Sequence, residues 1–269
     1  MFNSHFHSKY SHDAHSELES IIDCAIKKGF KGIALTDHCN CNFTPERNDF
    51  ETVSAGLIKL ESLKEKYQGK IKLLKGVEIG EELFRKENAE KMRAIGGYDV
   101  ILGSSHEYLR DGVFLRTATQ EYDKWTSEEV SGYTNYYYSY ILQMVKETDI
   151  DVVCHLTLPL RYLKRRGVNY DNTVHDNTIK EIFSLMIKRG IALELNTSGY
   201  LSGLFLPDEY YLKLYKSVGG KLVTIGTDAH VDEKIAQGFL EGLELLKKAG
   251  FSSYYYFEKR KPQEVKIQI

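Results

Sequence analysis

Along the chain, short apolar runs rich in β-branched residues alternate with segments whose apolar positions recur at helical spacing. The alternation predicts strand–helix units around a parallel sheet. The clearest runs are Ile33–Leu35, Val100–Leu102, Val152–Cys154 and Leu222–Ile225. They are continuously hydrophobic, as strands buried on both faces must be. Ile71–Val77 and Ile191–Asn196 read as further strands, and an apolar-flanked segment opens the chain. Between them, Leu18, Ile21, Ile22, Ala25 and Ile26 form a helical stripe. Ser16 and Glu19 are placed as a capping box before it, and Gly29 as the stop after it. Further helices are predicted over about 50–67, 82–95, 133–147, 176–189, 207–217 (Pro207 in the first turn) and 232–249. The count is seven strand–helix units, with 253–257 as an extra strand and 262–269 as a tail. Residues 107–132 have weak periodicity and exceed what a connector needs, which is typical of lids and binding loops. The 157–173 connection is also long and carries Arg161, Lys164, Arg165 and Arg166.

What stands at the ends of these runs changes the picture. His5 and His7 close the opening segment, His38 follows Thr36-Asp37, and Glu78 follows Val77. His106 follows Ser105, His155 follows Cys154, and Asp228 and His230 follow Thr227. In a (β/α) barrel the C-terminal strand ends share one face, where the βα loops build the site. Residues i and i+2 of a strand point the same way, so His5/His7 and Asp228/His230 can each present two groups to one ion. Imidazole with carboxylate suits Zn²⁺, Mn²⁺ or Fe²⁺ better than the all-oxygen sites of Ca²⁺ or Mg²⁺. A lone His-x-His is weak evidence; two such pairs with single groups closing other strands make a strong signal.

The bulk properties narrow the class. The 269 residues can bury one large core, and no Pro/Gly/Ser linker divides them, so residues 1–269 are taken as one domain. A formal charge of −2 gives no reason to expect nucleic acid as partner. No apolar run reaches membrane-spanning length and no signal peptide is visible. Four cysteines make no disulfide framework, and reduced thiols in the cytoplasm are expected. Cys39-x-Cys41 lacks the second knuckle of a structural zinc site. His175 is read as structural, His12 and His15 as rim residues, and the basic run after Arg161 mostly as a solvated helix face. Tyrosine is abundant, 19 against one Trp, and the 133–140 cluster is read as amphipathic packing with wet hydroxyls.

His5-Phe6-His7-Ser8, Ser11-His12-Asp13, Thr36-Asp37-His38, Gly76-Val77-Glu78, Ser104-Ser105-His106, Cys154-His155 and Thr227-Asp228-Ala229-His230 resemble, in this order, the motifs of the PHP (polymerase and histidinol phosphatase) family. The resemblance spans residues 2 to about 230. It implies an α/β fold, a distorted (β/α)7 barrel of PHP type, with two or three divalent metal ions (Zn, Mn or Fe) and phosphoester hydrolysis. Residues 99–106, the Tyr-rich helix and residues 193–199 are similar to the histidinol-phosphate phosphatases of that family. That implies a small phosphate ester, L-histidinol phosphate, as substrate. The alternative is another PHP-type phosphoesterase acting on nucleic acid, nucleotides or phosphotyrosine. The resemblance assigns one ion to His5, His7, Glu78 and Asp228, and a second to Glu78, His106 and His155, with Glu78 bridging. A third goes to Asp13, His38 and His230, with His12 and His15 as neighbours that compete with Asp13. Two metals suffice to activate a water for in-line attack on a phosphomonoester, without a nucleophilic side chain. Arg161 and Arg116 are candidates for gripping phosphate and Asn196 and Ser198 for binding substrate. Asp228 or His230 is the candidate for protonating the leaving oxygen.

Overall fold

The computed structural model describes residues 1–42 and 48–268. Among them the strands are β1 (Phe2–Phe6), β2 (Gly32–Leu35), β3 (His38–Asn40), β4 (Lys72–Gly80), β5 (Val100–Ser104), β6 (Glu107–Arg110), β7 (Val113–Arg116), β8 (Val152–Val153), β9 (Ala192–Asn196), β10 (Val223–Gly226), β11 (Ser253–Glu258) and β12 (Lys261–Lys266). The α-helices are α1 (Leu18–Lys27), α2 (Asp49–Tyr67), α3 (Lys86–Ala94), α4 (Ser127–Glu147), α5 (Leu158–Arg165), α6 (Asp176–Arg189), α7 (Glu209–Ser217) and α8 (Phe239–Lys248). Seven strands run parallel in the order β1-β2-β4-β5-β8-β9-β10. His7 N donates to Ala229 O and Asp228 N to His5 O, both at 2.9 Å, and these bonds join the last strand back to the first. The result is a nearly closed α/β barrel, distorted by a register shift within β1 and by the two-residue β8.

Two apolar layers hold it. Inside the ring, Ala34, Leu74, Val100, Leu102, Val152, Cys154 and Ala192 pack together, and Phe257 of the β11–β12 hairpin joins them at the end where the strands begin. Outside, buried stripes such as Leu18, Ile21, Ile22 and Ala25 of α1 cover the sheet. The opposite mouth is left to polar side chains.

Several local expectations are corrected. Ser16 caps nothing: its Oγ accepts from Asp232 N at 2.9 Å, a long-range partner that wins over the local one. A reciprocal capping box forms instead at Thr126 and Glu129, so the helix predicted from 133 begins at Ser127. The 82–95 segment opens as a 3-10 turn before α3, and 232–249 breaks at Gly238, whose φ of 68° is left-handed. Pro207 lies outside α7, which Asp208 caps by accepting from Tyr211 N. Residues 261–266 are a strand of the capping hairpin and no tail; Ile269 lies outside the described residues. The long loop contains the β6–β7 hairpin. The tyrosine hydroxyls are less wet than expected, since Tyr137, Tyr138 and Tyr140 are buried and bonded to protein groups.

Candidate metal centre

The barrel mouth gathers the strand-end residues as the chain pattern implied, with one refinement. Glu78 does not end its strand: β4 runs on to Gly80 because β3 pairs alongside it, placing His38 opposite Glu78. The Glu78 carboxylate is fully buried and central. Its Oε2 lies 3.4 Å from His5 Nε2 and 3.5 Å from His7 Nε2, while its Oε1 lies 2.9 Å from His155 Nε2 and 3.3 Å from His106 Nε2. Asp228 Oδ1 closes the first group, 3.1 Å from His7 Nε2 and 3.6 Å from His5 Nε2. Asp13 stands at the rim, 3.7 Å from His38 Nε2 and 3.4 Å from His230 Nε2. His38 also turns Nδ1 to within 2.7 Å of Glu78 Oε2, without the alignment of a hydrogen bond.

The hydrogen bonds of the rings show that this cluster is built for cations. His5 Nδ1 is 2.6 Å from a Glu194 oxygen, so that nitrogen carries the proton. His7 Nδ1 meets Ser11 Oγ, which itself donates to Asp37, so His7 too is protonated at Nδ1. Both Nε2 atoms therefore point lone pairs at each other across 2.9 Å. His106 Nδ1 donates to Asn40 Oδ1, which leaves its Nε2 facing His155 Nε2 at 3.3 Å. His230 Nδ1 donates to Asp228 O. Converging lone pairs on buried rings, with Glu78 Oε2 and His38 Nδ1 lacking hydrogen-bond partners, fit divalent ions. Three-ligand groupings within 4.8 Å recur across the mouth: His5, His7 and Asp228; His38, Glu78 and His106; His7, His38 and His230.

Charge follows the same logic. Burial pushes the Glu78 carboxyl up, but the His38, His106 and His5 rings more than reverse this and hold it well below the usual range. Burial opposes charge on His106, yet Glu78 and Glu81 raise it to about 9. His230 is likewise opposed by burial and raised to about 9 by Asp13 and Asp228.

Supporting residues that the sequence reading missed lie directly behind the rings. Glu194, fully buried on β9, accepts from His5 Nδ1 and, at 2.8 Å, from His155 N. Gly226 makes room for it, since a Cβ there would sit 2.1 Å from the Glu194 carboxylate. Asp37 accepts from Ser8 N, Ser8 Oγ and Ser11 Oγ. Buried Glu81 takes the backbone N–H groups of His106 and Glu107. The signal was available for Glu194: a carboxylate inside Leu193-Glu194-Leu195 has to find partners once buried. Cys154, read as a plain thiol, is unpaired but lies 3.2 Å from Glu78 Oε1.

Of the substrate-binding candidates, three come together. Arg161, inward-facing on α5, donates to Ser198 Oγ and Asn196 Oδ1 and lies 3.6 Å from Asp228 Oδ2. Arg116 is exposed on β7 but lines the same cavity, a cleft of about 370 Å³ above the metal centre. His12 lines it too, His15 does not, and His175 is buried elsewhere against Tyr170.

A parallel α/β barrel with imidazoles and carboxylates converging at its C-terminal mouth is the scaffold of a divalent-metal site. The family model described as the PHP domain matches residues 3–198, and the chain belongs to the PHP domain family. It is 28% identical to a probable histidinol-phosphatase of Thermotoga maritima over the full length of both chains. It is 24% identical to the histidinol-phosphatase of Lactococcus lactis, covering 98% of this chain and 97% of that one. A crystal structure of the Lactococcus lactis histidinol phosphate phosphatase, complexed with zinc, L-histidinol and phosphate, superposes with a TM-score of 0.77. It has 24% identity and covers 97% of this chain and 98% of that one.

Proposed function

We propose that this protein is a metal-dependent phosphomonoesterase that hydrolyses L-histidinol phosphate to L-histidinol and phosphate, a late step of histidine biosynthesis. The observation that carries the chemistry is Glu78, whose Oε2 faces His5, His7 and His38 while its Oε1 faces His106 and His155. Full-length similarity to histidinol-phosphatases supports the substrate. His5, His7, Glu78 and Asp228 would hold one ion, Glu78, His106 and His155 a second, and Asp13, His38 and His230 a third, as zinc, manganese or iron. When bound, such ions lower the pKa of water to near 7 and offset charge on attacking and leaving oxygens.

The chain's own groups do the rest. Arg161 offers a planar fork to phosphate oxygens, and its contacts with Asn196 and Ser198 preset the fork's direction. Arg116 lines the same cleft and is the second candidate for gripping that anion. Asp228 and His230, joined through His230 Nδ1 and Asp228 O, are the candidates for protonating the leaving alkoxide. No serine or cysteine attack is required, so the reaction proceeds by in-line displacement with inversion at phosphorus.

The expected setting is the cytoplasm, with a small-molecule substrate and no nucleic acid; no helix among the described residues is long and apolar enough to cross a membrane. The test is phosphate release by metal-assayed protein on L-histidinol phosphate, p-nitrophenyl phosphate and single-stranded DNA. Strong preference for the first is expected, and equal or faster turnover of DNA would overturn the reading.

A further inference from the structure

We infer that Glu107 is the seat of the substrate's ammonium group and the residue that selects an amino-alcohol phosphate over an amine-free ester. The inference rests on the reading of the active site given above. Histidinol phosphate carries a positive charge on the carbon next to the one bearing the ester oxygen. Its counter-charge must therefore stand within a few ångströms of the phosphate.

The cleft wall is rich in cations, with Arg116, Arg161, Arg165 and Lys234, but among the described residues only three carboxylates line it: Asp13, Glu107 and Asp228. Asp13 and Asp228 face the imidazole cluster. Glu107 alone is outside it. It directly follows His106, and neighbouring Cα atoms are about 3.8 Å apart, so it sits next to the metal centre without being part of it.

Its position is fixed. The backbone N–H is tied to Glu81 at 3.0 Å, the side chain accepts from Asn42 Nδ2 at 2.7 Å, and the residue is only 9% exposed. Arg116 faces it across the β6–β7 hairpin, yet no lysine or arginine among the described residues forms an ion pair with Glu107. A buried carboxylate held by one neutral amide, beside a second buried carboxylate in Glu81, lacks a cation. The cleft is the side from which a ligand can supply one.

The experiment compares L-histidinol phosphate with 3-(imidazol-4-yl)propyl phosphate, which lacks only the amine, in wild-type holoenzyme and in Glu107→Gln. The variant is isosteric, keeps an acceptor for Asn42 and turns an N–H toward the cleft. The quantity read is the ratio of kcat/KM for the two esters. In wild type the amine-bearing ester is favoured; in Glu107→Gln that ratio falls at least about tenfold, as loss of a charge-assisted hydrogen bond requires. A ratio that holds within threefold, however far both rates fall, overturns the inference, because Glu107 would then act only by steadying His106. That result leaves the phosphatase reading standing. If wild type turns over neither imidazole ester faster than p-nitrophenyl phosphate, the phosphatase reading falls and this inference with it.

Discussion

Replacing Glu194 by glutamine removes no atom from the metal centre, yet it should cost the protein its first ion. The Glu194 oxygens have separate duties. Oε1 faces His5 Nδ1 at 2.6 Å; Oε2 accepts from His155 N at 2.8 Å and Asn196 Nδ2 at 3.0 Å. Glutamine has one acceptor where both oxygens are needed. If its oxygen serves His155 and Asn196, its NH₂ meets His5 Nδ1, and the His5 proton must move to Nε2, the nitrogen aimed at the ion. The reverse orientation sets NH₂ against two other donors. Loss of one hydrogen bond to a charged group costs about 1.5–3 kcal/mol, and losing the partner that orients a metal-bound histidine weakens binding about 10–100-fold. The two ranges agree, so a loss near the upper end, about 100-fold for one ion per chain, is expected. The assay is titration of metal-free protein with zinc against a chromophoric chelator, with circular dichroism to verify the fold. Glu194→Ala serves as the second arm: it removes the acceptor without introducing a wrong donor, and should lose less affinity than Glu194→Gln. Wild-type zinc affinity and stoichiometry in the glutamine variant would refute the tautomer argument.

Three further outcomes are expected. Glu78→Ala, which takes away the group shared by five imidazoles, should lose bound metal and on the order of 10³-fold or more in kcat; near-normal turnover would exclude the bridging role. Arg161→Ala should chiefly raise KM, because the guanidinium grips phosphate in ground and transition states alike; an unchanged KM removes it from the site. Arg260→Ala breaks the clasp of the β11–β12 hairpin to Asp149 at 2.9 Å and to Asp151, and should lower stability by about 1–3 kcal/mol at pH 7.5. Arg260 holds Asp149 below the ordinary range, a contribution complete above about pH 4 and lost as pH falls through the lowered value. Burial raises Asp151 although Arg260 counters it, so its ionised form costs more without the arginine, and acid relieves that cost. Asp151 therefore narrows the gap between variant and wild type as pH falls from 7.5 to 4, and Asp149 narrows it further below pH 4, as thermal unfolding across that range will read; a gap that widens contradicts the assignment.

The barrel and its mouth were legible for a simple reason. A strand buried on both faces is written in apolar residues, so the first imidazole or carboxylate after it, as at His106 or His155, marks where the strand meets the mouth. What the pattern hid depends on partners distant in sequence. Ser16 has a sound local motif, but Asp232, 216 positions away, takes it. Glu194 was read as part of a strand because its neighbours are apolar, although an inward carboxylate demands a partner. Arg161 was a candidate by its place in the long connection, but the packing of an eight-residue helix is what brings it, out of the basic run, against Asn196 and Ser198. The β6–β7 hairpin at the cleft arises in a stretch without periodicity, where turn geometry rather than burial sets the register.

The seam between β1 and β10 bears on how the protein is made. His7 and Asp228 are neighbours at 3.1 Å although 221 positions separate them, so the first proposed metal subsite is split between two segments far apart in sequence. Closing so long a loop carries its entropy cost before any ligand contact compensates it. A chain still lacking β10 would hold His5, His7 and Glu78 without Asp228, so on the proposed ligand set that ion would load only after the closing strand has formed. The ion would thereby act as a check on barrel closure, held by its full ligand set only once β10 has joined β1.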